Sequence, residues 1–117
     1  MSHTVKIEIE LTDINILKVA CKRLNLKYEE NSSAQLYDGN TYQGFVIHLD
    51  NWNYPIIING KNIYYDNYQG RWGDISQLNK LKTYYGVEKV KALARSKGYA
   101  YRELIVNNRP QVRITVS

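Results

Sequence analysis

The segment Tyr64-Tyr65-Asp66-Asn67-Tyr68-Gln69-Gly70-Arg71-Trp72-Gly73-Asp74 gathers rings and a cation in one polar, glycine-punctuated stretch. A packed core takes its rings at alternating or helical spacing. A surface that grips a planar, anionic partner takes rings and cations in irregular backbone. Tyr65, Tyr68 and Trp72 can stack on a planar group, although Trp72 also suits a core tryptophan anchoring the helix that follows. Arg71 can pair with an anion, assisted by the backbone amides around Gly70. The closing part of the chain adds Arg102, Arg109 and Arg113. Arg113 alternates against Val112 and Ile114, so it is expected on the opposite strand face, where it forms a basic stripe with Arg102. Trp52 and Tyr54, interleaved with Asn51 and Asn53, make a second aromatic cluster.

No comparable set exists for catalysis. A zinc site takes three or four His, Cys or carboxylate ligands at characteristic spacing, whereas His3, His48 and Cys21 are scattered. Cys21 falls on the apolar face of an expected helix, which denies it the exposed, electropositive setting of a nucleophile. Asp50 and Asp66 could do acid–base work, but each adjoins an asparagine in turn-like sequence, where Asp serves local hydrogen bonding. The chain has no G-x-x-x-x-G-K-[ST] phosphate loop. A non-enzymatic protein without metal or cofactor is expected.

The elements that must position these residues follow from periodicity. Val5, Ile7, Ile9 and Leu11 alternate with Lys6, Glu8 and Glu10 as a half-buried strand. Thr12 or Asp13 caps a helix with Ile14, Leu17, Ala20, Cys21 and Leu24 on one face. Tyr28 to Tyr37 reads as a short strand and a mobile turn through Asn31-Ser32-Ser33. Phe45 to Leu49, Pro55 to Ile58 and Asn62 to Tyr65 read as strands, the last two joined by the hairpin signal Asn59-Gly60. Asp74 caps a second helix, with Gln77 in capping-box position, and Gly86 is expected to stop or bend it. Val87 to the Lys97-Gly98 terminus continues as its partner helix. Tyr99 to Val106 and Gln111 to Val116 close the chain as a hairpin. The expected fold is α+β, an antiparallel sheet with helices packed on one face, in the order strand, helix, strands, helix pair, two strands. Val5, Ile7 and Ile9 should face the helices together with Val112, Ile114 and Val116.

A chain of 117 residues with 44% hydrophobic content suits one domain spanning 1–117, with a core that needs no staples. The single cysteine excludes an internal disulfide. No apolar run reaches the roughly 18 residues that span a bilayer, and the N-terminus lacks the apolar stretch of a signal peptide. A soluble, intracellular protein without membrane contact is expected. The formal charge of +5 leans toward an anionic partner, although abundant Lys, Asn, Ile and Tyr are also what AT-rich codons produce.

The opening Met1-Ser2-His3 before Lys6-Ile7, the helix leucines Leu17 and Leu24, and the ordered series Trp72, Leu78, Leu81, Tyr85, Val90, Ala94 and Gly98-Tyr99 carry a family likeness. Together they resemble the small plastid and cyanobacterial "hypothetical chloroplast reading frame thirty-five" proteins, or domain of unknown function twelve fifty-seven, found also in bacteria and phages. The resemblance covers both ends and the second helical region and is weakest between Tyr28 and Ile63. It implies a fold and no activity. It allows a plastid stroma, a bacterial cytoplasm or a virus-infected host cytoplasm as the setting.

Two classes of function are expected from the rings and cations. One is a module for a nucleotide-like small molecule, in which rings sandwich a base and arginines hold phosphates. In a virus it would sequester a host nucleotide signal, with pockets completed in a homo-oligomer. The other is a single-stranded nucleic-acid-binding module, or an accessory subunit of a larger assembly. Compact clusters at turns favour the small molecule, whereas a nucleic-acid track should spread along one sheet face.

Overall fold

The structure, a computed structural model, describes residues 5–8 and 11–116, with side chains from Leu11 onward. It runs β1 (Val5–Glu8), α1 (Ile14–Arg23), β2 (Lys27–Gln35), β3 (Thr41–His48), β4 (Ile56–Asn59), β5 (Asn62–Tyr65), a single 3-10 turn (Tyr68–Gly70), α2 (Ile75–Lys97), β6 (Ala100–Val106) and β7 (Arg109–Thr115). This is an α+β fold. The main sheet has the order β1-β5-β4-β3-β2 and is antiparallel throughout, and β6 and β7 form a sheet of their own.

Register sorts the apolar residues between two faces. Phe45 lies opposite Ile58 and Ile58 opposite Ile63, while Val46 lies opposite Ile57 and Ile57 opposite Tyr64. Cross-strand partners share a face and successive residues do not. The first set joins Leu17, Ala20 and Cys21 of α1 and Leu78, Leu81 and Tyr85 of α2 in the principal core. The second set forms a smaller cluster with Leu36 on the helix-free face, flanked by half-buried Ala34, Tyr42, Tyr54 and Tyr64. β4 is therefore buried on both sides along Ile56-Ile57-Ile58.

Local signals fix the element ends. Asp13 accepts from Ile16 N–H at 3.2 Å and Asp74 from Ser76 N–H at 2.9 Å, satisfying donors that helix starts leave open. Gly98 closes α2 in the left-handed region at φ 72°. Asn107 and Asn108, at φ 53° and 62°, make the two-residue turn between β6 and β7, and asparagine tolerates that conformation better than most side chains.

Three expectations change. Gly86 neither stops nor breaks the helix: α2 is continuous from Ile75 to Lys97, because Leu81 and Tyr85 before it and Val87 and Glu88 after it are all buried and hold the backbone across it. Asn31 is not in a mobile turn but inside the nine-residue strand β2, at φ 47° beside a bulge between Glu29 and Ser32 that absorbs one register shift. The closing hairpin does not join the main sheet but packs on α2. Val112 and Ile114 are consequently half-buried, and Val116 is 67% exposed instead of facing the helices. The orientations expected for Val5, Ile7 and Ile9 fall outside the described side chains. Among the described residues no helix is long and apolar enough to cross a membrane.

Candidate functional site

Tyr64 and Tyr65 adjoin in sequence and part in space. Tyr65 is buried on the helix side, its ring edge-on to Trp52 at 5.7 Å, and burial pushes its phenol above the ordinary value. It belongs to the core. Tyr64 points to the helix-free face and stacks on Tyr42 at 4.6 Å.

Beyond the end of β5 the chain builds a second aromatic group on Trp72. Tyr68 stacks on it at 4.8 Å, Tyr37 lies at 5.0 Å and Tyr54 at 5.6 Å, and Tyr37 meets Tyr54 edge-on at 6.5 Å. Arg71 sits over the Tyr68 ring, its guanidinium carbon 5.2 Å from the centroid. Tyr37 is 57% exposed, while Tyr54, Tyr68 and Trp72 are half-buried. Ring pairs of this kind contribute about 0.5–1.5 kcal/mol each beyond their area. The group is thus fixed before any ligand arrives.

Backbone bonds hold the group in place. Asn67 C=O accepts from Gly70 N–H at 3.0 Å and Trp72 N–H at 2.9 Å, and Asn67 Nδ2 donates to Gly73 C=O at 3.2 Å. Asn53 N–H donates to Trp72 C=O at 2.8 Å, and Trp52 Nε1 to Asp74 C=O at 3.1 Å. Gly73 is required here, because a Cβ would stand 2.3 Å from the Trp52 ring. Tyr68, Gln69 and Gly70 all lie at positive φ, 46°, 54° and 95°, a costly run for the two that carry side chains. Asp66 is fully buried at the start of this segment. Its Oδ1 accepts from Tyr68 N–H at 3.2 Å, and its Oδ2 has no hydrogen-bond partner among the described residues.

The arginines of the hairpin occupy another surface. Arg102 and Arg113 lie directly opposite each other and are exposed, giving the basic stripe its register. Arg109 stands at the tip of the hairpin, beside the first half of α2. The hairpin is tied to the helices by charge: Arg23 donates to Glu88 at 2.7 Å and to Glu103 at 2.9 and 2.6 Å, and Lys91 reaches both carboxylates at 3.3 and 3.2 Å. Arg23 holds the Glu103 carboxyl down at about 2, with help from Lys91. The seven sequence candidates therefore divide into a core ring, Tyr65; a loop group, Tyr68, Arg71 and Trp72; and a hairpin group, Arg102, Arg109 and Arg113.

Sequence reasoning left out Tyr37 and Tyr42, and it did not join Tyr54 to Trp72. Tyr37 adjoins the turn Asp38-Gly39-Asn40, a signal that was open to use; the meeting of its ring with Trp72 across the fold was not. Cys21 is fully buried, and burial pushes its thiol up to about 12. Among the described residues no cluster of His, Cys, Asp and Glu suits a metal ion. Compared with known proteins, the chain is matched by no family model, by no curated protein and by no solved structure.

Proposed function

We propose that this is a non-enzymatic binding protein for anionic, nucleotide-like ligands, taken as a single strand across the helix-free face of the main sheet. The observation that carries the proposal is the spread of half-exposed rings from Tyr42 and Tyr64 in mid-sheet to Tyr54, Tyr37, Trp72 and Tyr68 beyond its end. Tyr42 stacks on Tyr64 and Tyr68 on Trp72, while Tyr37 and Tyr54 meet their neighbours edge-on or tilted, so no open slot separates the paired rings. That geometry suits successive bases laid on a platform better than one base held in a slot. Base–ring stacking contributes roughly 1–3 kcal/mol per base and tolerates any sequence. A mononucleotide is the second reading, favoured by Arg71 over Tyr68 beside Trp72, which places one cation at one ring pair. Kinship with the plastid and cyanobacterial family would be compatible with either.

Titration followed by tryptophan fluorescence separates them. A strand-binding face should tighten with oligonucleotide length, and its affinity should fall steeply as salt rises. A mononucleotide site should saturate with one small ligand and depend weakly on salt. Trp72→Ala should weaken strand binding at least about tenfold, from the loss of one stacking ring. If neither mononucleotides nor strands bind at low salt, both readings fail and the assembly-subunit reading replaces them. Self-association is part of the same proposal, supported by the exposed Val90, Leu93, Ile105 and Val116 on α2, β6 and the end of the chain. Native mass spectrometry reads the oligomeric state and any retained ligand together.

A further inference from the structure

A cleft of about 550 Å³ lies between the first half of α2 and the tip of the β6–β7 hairpin. Its volume falls within the roughly 300–1,000 Å³ of small-molecule sites. Three long cations line it: Lys80 and Lys82 from the helix and Arg109 from the hairpin. Asn79 and Asn108 add amides and Ser76 a hydroxyl, and no carboxylate is among the lining residues. Lys80, Lys82 and Arg109 make no ion pair among the described residues. The acids nearest in sequence are engaged elsewhere: Asp74 as the helix cap, accepting from Ser76 N–H at 2.9 Å, and Glu88 and Glu103 with Arg23 and Lys91.

Like charges that line one cleft repel, and no ion pair among the described residues offsets them. The turn that assembles them is nonetheless built, since Asn107 and Asn108 both take the left-handed backbone that carries Arg109 back to α2. A doubly charged anion would offset two of the three positive charges. Two ammonium groups act as mobile point charges and the guanidinium as a planar fork, a combination suited to phosphate oxygens. Tyr84 and Pro110 supply a less polar wall for an organic body attached to the phosphate.

We propose that this cleft binds the phosphate group of a small phosphorylated molecule, with Lys80, Lys82 and Arg109 as its charge partners. The site is independent of the aromatic face, and each stands or falls alone.

The test is an NMR titration of the ¹⁵N-labelled full chain with ribose 5-phosphate, inorganic phosphate and sulfate at low salt. Ribose 5-phosphate should produce saturable shifts centred on the amides of Asn79, Lys80, Asn108 and Arg109, and should bind more tightly than either inorganic ion. Lys80→Gln and Arg109→Gln should each weaken it about tenfold, as expected for loss of one charge-assisted bond. Lys97→Gln, at the far end of the same helix, should change affinity less than about twofold, as an exposed distant charge does. Equal affinity for inorganic phosphate would overturn the phospho-ester assignment. Shifts scattered over many surface lysines without saturation, or an equal loss in Lys97→Gln, would overturn the site itself.

Discussion

Two groups of cations lie along the contact between α2 and the closing hairpin, and they are handled in opposite ways. Arg23 and Lys91 meet Glu88 and Glu103, two cations against two carboxylates. Glu88 is only 5% exposed, so its charge must be compensated inside the protein. Lys80, Lys82 and Arg109 gather at the other end with no carboxylate among the cleft-lining residues. The first group joins α1, α2 and β6 and serves the fold. The second makes no ion pair among the described residues. The contrast separates structural from recruiting electrostatics: a cation with an internal partner is spent on stability, and one without is available to a ligand.

The largest test of that contrast acts on the paired end. Glu88→Gln keeps the shape of the side chain but removes a buried charge, leaving Arg23 and Lys91 to share Glu103. A loss of about 2 kcal/mol is expected, below the range for leaving a buried charge unpaired because Arg23 and Lys91 are partly exposed and keep Glu103, read from urea denaturation. A loss near zero would mean that the network is a surface one.

Acid titration probes the same end more gently. The Glu103 carboxyl is held down from 4.5 to about 2 by Arg23 and Lys91. A carboxyl depressed in the folded state adds stability above its ordinary value, and that stability is lost as pH falls toward the folded value. Stability should therefore drop between about pH 4.5 and 2 by roughly 1–2 kcal/mol, between exposed and buried pairs. Glu103→Gln should flatten that part of the profile.

Gly86 lies between the two groups along α2, in mid-helix, with open space where a Cβ would go. Gly86→Ala should stabilise the protein by roughly 0.5–1 kcal/mol, because alanine loses less backbone freedom on folding. A destabilisation, measured by thermal unfolding, would show that the helix uses a bend there.

The smallest expected change in stability comes at the open end. Asn79→Glu places a carboxylate among Lys80, Lys82 and Arg109 and converts that group toward the paired kind. Stability should shift by less than about 0.5 kcal/mol, as at most surface positions. Phosphate-ester binding should disappear. Retained binding with altered stability would reverse the roles assigned to the two ends.

Much of the fold was legible because its signals are local. Short apolar runs and the Asn59-Gly60 turn marked β3, β4 and β5, Asp13 and Asp74 marked helix starts, and Gly98 marked a helix end. Gly86 misled because propensity describes an isolated helix, whereas Leu81, Tyr85, Val87 and Glu88 bury that part of α2 on both sides of the glycine. The candidate site was half legible. Tyr68, Arg71 and Trp72 were visible as a cluster because they adjoin in sequence. Tyr37 and Tyr54 reach Trp72 only through the meander of the sheet.

By itself the sequence determined most of the strands, the helix starts and the last helix end, and that rings and cations exceed what a core needs. Period and turn chemistry are properties of neighbours, and neighbours are written in order. Only the tertiary structure decided that Tyr65 is core while Tyr64 is surface, which depends on the face the helices cover. It also decided that Arg23 meets Glu88, 65 residues away, and Glu103, 80 residues away, whereas Lys80, Lys82 and Arg109 share a cleft without a carboxylate. Charge pairing falls off within a few ångströms. The partners of a lysine are therefore set by packing, which no local pattern encodes.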